Sequence, residues 1–234
     1  MMGEKRALVI GATRGLGRQI CVDLIHKGIF VVGTYNKSNS IAKSMVKEFP
    51  GKILLIKSDF SKNKDINTLP DKVGKIDYII FNVGLNIRKK FLDIREKDID
   101  LSFQLSVKSP IFLIQKLYYN INHSGSILFI GSILGEKAKS VSLLYGVSKG
   151  VLPILVKYLS NILIERNIRV NLVSPGFIDT DWHKDKTPAL RNKINNQILC
   201  KRFANVEEIS SMCVESLLNT YLYGSCINID GGFY

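Results

Sequence analysis

Tyr145 and Lys149 are the residues whose types and spacing fit proton transfer most directly. They stand four positions apart at the start of a helical pattern, so they share one helix face. A tyrosine with an ordinary pKa of about 10 carries protons poorly near neutrality, and a nearby ammonium lowers that pKa. Ser132 lies thirteen residues earlier and could polarise a substrate oxygen. A Tyr–Lys pair alone is common on exposed helices, but with Ser132 it predicts acid–base chemistry on a carbonyl or alcohol.

A glycine-rich segment near the N-terminus is typical of a pyrophosphate-binding turn. It lies between a short apolar stretch and a helical pattern, where glycines allow close backbone approach to a phosphate. The following helix offers free N–H groups and the positive end of its dipole. A purely structural tight turn is the alternative. The residues expected at the cofactor are Gly11, Thr13, Arg14, Gly15, Leu16 and Gly17.

The second predicted strand ends in Asn36, Lys37 and Ser38, where an NAD site usually has an acidic residue. A carboxylate would repel a 2′-phosphate, whereas Arg14 and Lys37 could bind one together. The sequence therefore favours NADP(H) over NAD(H). The alternative is that both cations are simply exposed.

Two further strand ends supply candidate cofactor contacts. Asp59 and Phe60 follow the third predicted strand, and Asn82, Val83 and Gly84 end the fourth. Asp59 could accept a hydrogen bond from the adenine amino group, and Gly84 would permit close approach to a ribose. Neither assignment would stand without the other motifs.

Short apolar stretches alternate with longer helical patterns along the whole chain. This alternation predicts an α/β fold with one doubly wound parallel sheet and helices on both faces. Ligands of such sheets bind beyond the carboxyl ends of the strands. The predicted strands are 6–11, 29–34, 52–58, 76–82, 125–131, 168–173 and 226–229, and the clearest helices are 16–27, about 98–120, 145–165 and 206–219.

Length and composition fit one domain over residues 1–234, of which 46% are hydrophobic. No stretch approaches the roughly 20 uninterrupted apolar residues of a membrane helix, and the start does not resemble a signal peptide. We therefore expect a cytoplasmic enzyme without membrane association. The four cysteines and three histidines form no metal-binding or disulfide pattern, so no metal is expected.

The net charge of +13 is spread along the chain, and no basic run exceeds three residues. We therefore expect a solvated basic surface and no nucleic-acid partner. An acidic or phosphorylated partner would still be attracted by this charge.

Several motifs jointly resemble the short-chain dehydrogenase/reductase family over essentially the full length. They are similar in particular to the 3-oxoacyl-[acyl-carrier-protein] reductases. The motifs are GATRGLG at 11–17, FNVG at 81–84, Ser132, YGVSK at 145–149, PGFIDTDW at 175–182 and INIDGGFY at 227–234.

The resemblance implies a Rossmann-type sheet of seven strands in the order 3-2-1-4-5-6-7. It implies that Tyr145 is the general acid or base, that Lys149 lowers its pKa and binds the nicotinamide ribose, and that Ser132 orients the substrate. It also implies a homotetramer built on helices 98–120 and 145–165, with a dimer as the alternative. The implied cofactor contacts near the other strand ends are Asn82, Pro175, Gly176, Ile178 and Thr180.

The fourth catalytic position departs from the family pattern. Ser106 stands where the family has an asparagine that holds a bent helix and a water linked to Lys149. Serine is smaller but can also form hydrogen bonds, so we expect activity to survive at a reduced rate. Gln104 in this role is a less favoured alternative, and Pro110 should bend the helix in either case.

Residues 181–202 are expected to form a lid over the substrate. His183 lies in this lid but is not assigned a catalytic role without geometry. We expect a 3-oxoacyl thioester as substrate, with acyl carrier protein as a candidate partner for the basic rim at 88–90. The alternatives are a sugar or specialised-metabolite ketone or alcohol, and a cofactor-binding scaffold with impaired turnover.

Overall fold

A computed structural model of the chain describes residues 4–140 and 142–234. All seven predicted strands form, and they build one parallel sheet in the order β3-β2-β1-β4-β5-β6-β7, which confirms the predicted fold and strand order. The strands are β1 (Arg6–Ile10), β2 (Phe30–Tyr35), β3 (Ile53–Lys57), β4 (Ile76–Phe81), β5 (Ile121–Ile130), β6 (Arg169–Pro175) and β7 (Cys226–Ile229).

Helices cover both faces of this sheet. They are α1 (Gly15–His26), α2 (Asn39–Glu48), α3 (Asn63–Thr68), α4 (Pro70–Val73), α5 (Glu96–Phe103), α6 (Ser109–Leu117), α7 (Ile133–Glu136), α8 (Leu143–Gly150), α9 (Leu152–Leu163), α10 (Pro188–Asn195) and α11 (Val206–Leu218). A π-helical turn spans Gln104–Lys108, and 3-10 turns span Phe91–Asp93, Ile164–Arg166 and Asp181–His183.

The central strands are apolar on both sides because each face packs against helices. In β1, Leu8 and Ile10 face a core that includes residues of α6 and α9. Ala7 and Val9 face the opposite core, which includes residues of α1 and α11. Alternate side chains of one strand thus enter different cores, which explains why the strand has no polar face.

The carboxyl ends of β1, β4, β5 and β6 meet at one edge because these strands are neighbours in the sheet. The loops after them carry the glycine segment, the Asn82 segment, Ser132 and the Gly176 segment. The strand order therefore brings together motifs that are far apart in the sequence.

The predicted helix over 98–120 is two helices joined by the π-helical turn at Gln104–Lys108. Pro110 has no N–H group, and its ring conflicts with the carbonyl four residues earlier, which belongs to Ser106. The wider turn lies directly before the proline and accommodates this conflict.

The helical stretch Leu143–Arg166, which contains α8 and α9, is long and apolar enough by length and composition to cross a membrane. The part of it that forms α9 packs on β6, and buried Leu152, Val156 and Leu163 belong to the core. Helices inside α/β domains meet the same criterion, so this stretch alone does not place the chain in a membrane.

Candidate active site

Tyr145 lies in the first turn of α8, where Ser142 fixes its position. The Ser142 hydroxyl accepts a hydrogen bond from the Tyr145 amide at 3.3 Å and donates to the Ile87 carbonyl at 2.7 Å. The serine thus caps the helix and ties it to the loop after β4. Ser142 is not among the predicted site residues, although a serine three positions before Tyr145 is a recognisable N-cap signal.

Ser132 follows β5 and is buried beside the tyrosine. Its hydroxyl oxygen accepts a hydrogen bond from the Leu134 amide at 3.3 Å, which caps α7. A Cβ atom on Gly135 would lie 2.6 Å from the Gly150 backbone nitrogen. Glycine at position 135 therefore permits the close packing of α7 on α8 that brings Ser132 to Tyr145.

Lys149 extends from α8 into the edge of the sheet and is buried. Its Nζ donates to the Ile130 carbonyl at 2.7 Å and to the Val83 carbonyl at 3.2 Å. Burial lowers the pKa of this ammonium to about 8 because the charged form loses its solvation. A Cβ on Gly84 would lie 3.5 Å from Lys149 Nζ, so the glycine leaves room beside the lysine.

Burial raises the pKa of Tyr145, while the Ser132 hydroxyl acts in the opposite direction. The phenol therefore keeps its proton near neutral pH. The effect of Lys149 on this pKa stays a prediction, since burial is the dominant cause in the structure. A protonated phenol beside a serine hydroxyl can donate a proton to a substrate oxygen.

Ser106 lies in the π-helical turn and lines a cavity of about 10 Å³ together with Lys149 and Leu105. This volume is close to the smallest that holds one water molecule. Gln104 instead donates hydrogen bonds to Asn63 at 3.1 Å and to Ser109 at 2.9 Å. The structure thus places Ser106, and not Gln104, beside the lysine.

The glycine segment forms a tight turn onto α1. A Cβ on Gly17 would lie 2.0 Å from the Gly11 carbonyl oxygen, and the Asn82 amide donates to this oxygen at 3.1 Å. No side chain caps the N-terminus of α1, where Arg14 is the N-cap residue. Free amides at the start of a helix fit a pyrophosphate. Thr13 and Leu16 are buried in this turn, so only their backbone atoms are suited to a cofactor contact.

The residues that follow β2 include a lysine but no acidic side chain. Arg14, Asn36 and Lys37 are exposed, and Ser38 is half-buried at the start of α2. Arg14, at the start of α1, and Lys37, at the end of β2, are therefore both accessible to a phosphate.

Asp59 is half-buried after β3. Burial acts to raise its pKa, but hydrogen bonds from Ser61, the charge of Lys62 and the Asn36 side chain lower it overall, so Asp59 is ionised. The Phe60 ring is buried, with its centroid 6.2 Å from that of Phe81. Asp59 can therefore accept a hydrogen bond, while Phe60 could contact a cofactor only through its backbone.

The segment after β6 approaches the glycine turn from the other side. A Cβ on Gly15 would lie 3.6 Å from the Thr180 Cβ, so Thr180 faces the start of α1. Pro175 ends β6, and Gly176 is packed so closely on Asp230 that a Cβ would lie 2.8 Å from its Cα. Ile178 pairs with Ala204, which joins the chain on the two sides of the segment 181–202.

Within the segment 181–202, the ring centroid of Trp182 lies 6.4 Å from that of Tyr145. Among the described residues, no group of three or more histidine, cysteine, aspartate or glutamate side chains is placed to bind a metal ion. The arrangement combines a glycine turn with free helix amides, which suits a dinucleotide, and a protonated phenol beside a serine hydroxyl.

Comparisons with known proteins agree with this geometry. A family model described as enoyl-(acyl carrier protein) reductase matches residues 11–234. An L-xylulose reductase from Caenorhabditis elegans is 31% identical, over 98% of this chain and 96% of the relative. A 3-oxoacyl-[acyl-carrier-protein] reductase from Buchnera aphidicola is 29% identical, over 99% of this chain and 98% of the relative. The solved structure of a short-chain dehydrogenase from Burkholderia cenocepacia in complex with NADP is 26% identical, with a TM-score of 0.91 over 97% of each chain.

Proposed function

Because this chain belongs to the short-chain dehydrogenase/reductase family, we propose that it is an NADPH-dependent carbonyl reductase that acts on a 3-oxoacyl thioester. Membership makes it an NAD(P)-dependent oxidoreductase acting on CH–OH groups. The observation that carries the proposal is the placement of Ser132 and buried Lys149 around a tyrosine that burial keeps protonated.

In the proposed reaction, the substrate carbonyl oxygen lies between Ser132 and Tyr145. The Ser132 hydroxyl donates a hydrogen bond to this oxygen, and the Tyr145 phenol transfers its proton to it as negative charge develops. The Lys149 ammonium stabilises the phenolate that remains. NADPH, when bound, supplies the hydride to the carbonyl carbon.

The free amides at the start of α1 would hold the pyrophosphate, and Arg14 and Lys37 would hold the 2′-phosphate. Asp59 would accept from the adenine amino group. The NADP in the similar Burkholderia cenocepacia structure supports this cofactor, and the absence of a carboxylate at the end of β2 favours it over NAD.

The Buchnera aphidicola reductase supports a 3-oxoacyl thioester as substrate, with acyl carrier protein as partner. The L-xylulose reductase supports a sugar ketone as the second candidate. A scaffold without turnover is disfavoured because Ser132, Tyr145 and Lys149 are all present. We also propose that residues 1–234 work as one cytoplasmic domain and that 181–202 is the substrate lid.

The test is NADPH oxidation with acetoacetyl thioesters beside a panel of sugar ketones, with crotonyl thioester included for reduction of a carbon–carbon double bond. Tyr145→Phe should reduce carbonyl turnover about 100-fold or more, because the proton donor is lost. Tyr221→Phe, at an exposed tyrosine, is the matched control and should retain activity. Turnover by Tyr145→Phe within a few-fold of the wild-type rate would contradict the proposed mechanism.

A further inference from the structure

The lid encloses an aromatic cluster formed by Phe177, His183, Phe203 and Phe233. The Phe177 ring centroid lies 5.4 Å from that of His183, 5.3 Å from that of Phe203 and 5.5 Å from that of Phe233. The pairing of Ile198 with Phe233 ties the end of the chain to the lid. The cluster therefore fixes the position of His183.

Cations surround the His183 side of this cluster. Lys186 Nζ lies 5.9 Å from the Phe177 ring centroid, and Arg191 lies 4.4 Å from that of Phe203. Arg88, from the loop after β4, is close enough to act on both His183 and Lys186. Burial lowers the pKa of His183 to about 4, and the charges of Lys186, Arg191 and Arg88 add to this effect. Burial, Arg88 and Arg191 likewise lower the pKa of Lys186.

The cations differ in whether a carboxylate neutralises them. Arg191 is paired with Asp179 at 2.9 Å, and Lys89 is paired with Asp98 at 2.6 Å. Within residues 4–140 and 142–234, no ion pair is formed by Arg88 or Lys186. Arg88 and Lys186, from different loops, are near enough for their charges to act on each other and on His183. The charge of Asp179 also acts on His183, but this carboxylate is paired with Arg191.

His183 contributes an unsatisfied polar atom at the same place. Its Nδ1 is buried and has no hydrogen-bond partner in the described parts of the chain. The ring is neutral at physiological pH, so one of its nitrogens can donate a hydrogen bond. A buried polar atom without a partner is costly, and a ligand oxygen would remove that cost.

His183 and Arg88 each follow a residue that lies close to Tyr145 or to the start of its helix. Trp182 precedes His183, and its ring is the lid's contact with Tyr145. Ile87, which precedes Arg88, accepts a hydrogen bond from Ser142, the N-cap residue of the helix that carries Tyr145. A substrate whose carbonyl reaches Tyr145 can therefore direct a neighbouring substituent toward Arg88 and His183.

We propose that Arg88 and Lys186, together with the His183 ring, bind an anionic group of the substrate and so select carboxylate- or phosphate-bearing carbonyl compounds. The inference rests on the proposed reductase function and narrows its substrate class. An anion between the two cations gains charge-assisted hydrogen bonds and relieves the repulsion between them.

The kinetic experiment uses two pairs of probes that share a reacting group and differ in charge. Acetoacetate and ethyl acetoacetate test a carboxylate, and acetoacetyl-coenzyme A and acetoacetyl-N-acetylcysteamine test a phosphate. In the double variant Arg88→Gln/Lys186→Gln, kcat/KM for the charged member should fall about tenfold or more in at least one of the two pairs. This fall should come mainly from a higher KM. The neutral member of that pair should change less than about twofold, and Lys184→Gln, at an exposed lid lysine, should leave both unchanged.

A binding measurement decides the question without turnover. Trp182 is the single tryptophan of the chain, so its fluorescence reports on the lid. Titration with acetate or inorganic phosphate, at saturating NADP⁺ so that the phosphate-binding start of α1 is filled, should change the wild-type fluorescence saturably. The double variant should need at least about tenfold more anion. Equal losses for charged and neutral probes, or unchanged anion binding in the double variant, would overturn the anion site. A third outcome separates the two proposals. If no probe is reduced by NADPH but Trp182 fluorescence still shows anion binding that depends on Arg88 and Lys186, the reductase function is overturned and the anion site is retained.

Discussion

At the scale of residues, burial acts on Tyr145 and Lys149 in opposite directions. It raises the pKa of the phenol and lowers that of the ammonium to about 8. Below about pH 8 both groups therefore carry their protons. This state suits reduction, in which the phenol donates and the ammonium stabilises the resulting phenolate.

Lys149 should set the pH dependence of carbonyl reduction. Its folded pKa is lowered, so the ammonium is present below about pH 8 and is lost as the pH rises through that value. Tyr145 titrates at higher pH and His183 at about 4, so neither produces a step near pH 8. We expect the reduction rate to fall above about pH 8. A profile that stays flat from about pH 7 to 9.5, with circular dichroism showing an intact fold, would contradict this role.

Ser106 should be replaceable by the asparagine of the family pattern. The cavity beside Ser106 and Lys149 has room for part of the larger side chain, whose amide can donate and accept hydrogen bonds. Ser106→Asn should preserve or raise kcat, whereas Ser106→Ala, which removes the hydroxyl, should lower it a few-fold. Loss of activity in a folded Ser106→Asn protein would mean that the π-helical turn is packed specifically around serine.

At the scale of elements, the strands were predictable because each is a short apolar stretch buried on both faces. Their ends lie within about two residues of the prediction, except that β5 begins at Ile121 and not at Gly125. The residues between, Asn122 to Ser124, are polar and give no apolar signal. Pairing with β4 extends the strand through them, with a shift in register between Ile76 and Tyr78.

The elements missed by sequence analysis bury few side chains. α2 buries only Ala42 and Met45, and α10 buries only Ile194. Both helices are polar on average and bury a narrow stripe, so few apolar residues mark them in the sequence. The π-helical turn was missed for another reason, since Pro110 signals a disturbed helix but not the kind of turn. The side chains of the proposed site were identifiable from motifs, whereas the approach of Arg88 and Lys186 to His183 depends on the packing of two loops that no motif signals.

The start of α1 and the end of β2 should together determine cofactor preference. Lys37→Glu places a carboxylate where the 2′-phosphate is expected, so KM for NADPH should rise about tenfold or more, with NADH affected less than about threefold. Lys43→Glu makes the same charge change on an exposed position of α2 and should leave both values unchanged. Equal weakening of NADPH and NADH by Lys37→Glu would exclude contact with the 2′-phosphate.

At the scale of the whole molecule, α9 presents an exposed apolar stripe. Ile154, Tyr158 and Ile162 are spaced by four residues and are 54%, 65% and 62% exposed. On α6, Phe112 is also exposed. Residues at this spacing form one continuous face, and an apolar face of this kind marks a protein–protein contact.

From the family resemblance we predict a homotetramer, and the stripe indicates that one of its two-fold contacts packs α9 against α9 of another copy. Light scattering after size exclusion should give about four times the 26.3 kDa of one chain. Ile162→Asp should separate the tetramer into dimers, because a two-fold axis places the new carboxylates near each other in an apolar contact. Val46→Asp, at an exposed apolar position of α2, should keep the wild-type mass. A wild-type protein with the mass of one chain at micromolar concentration would contradict the prediction. If the wild-type protein is a dimer and Ile162→Asp has the same mass, the interface lies away from α9.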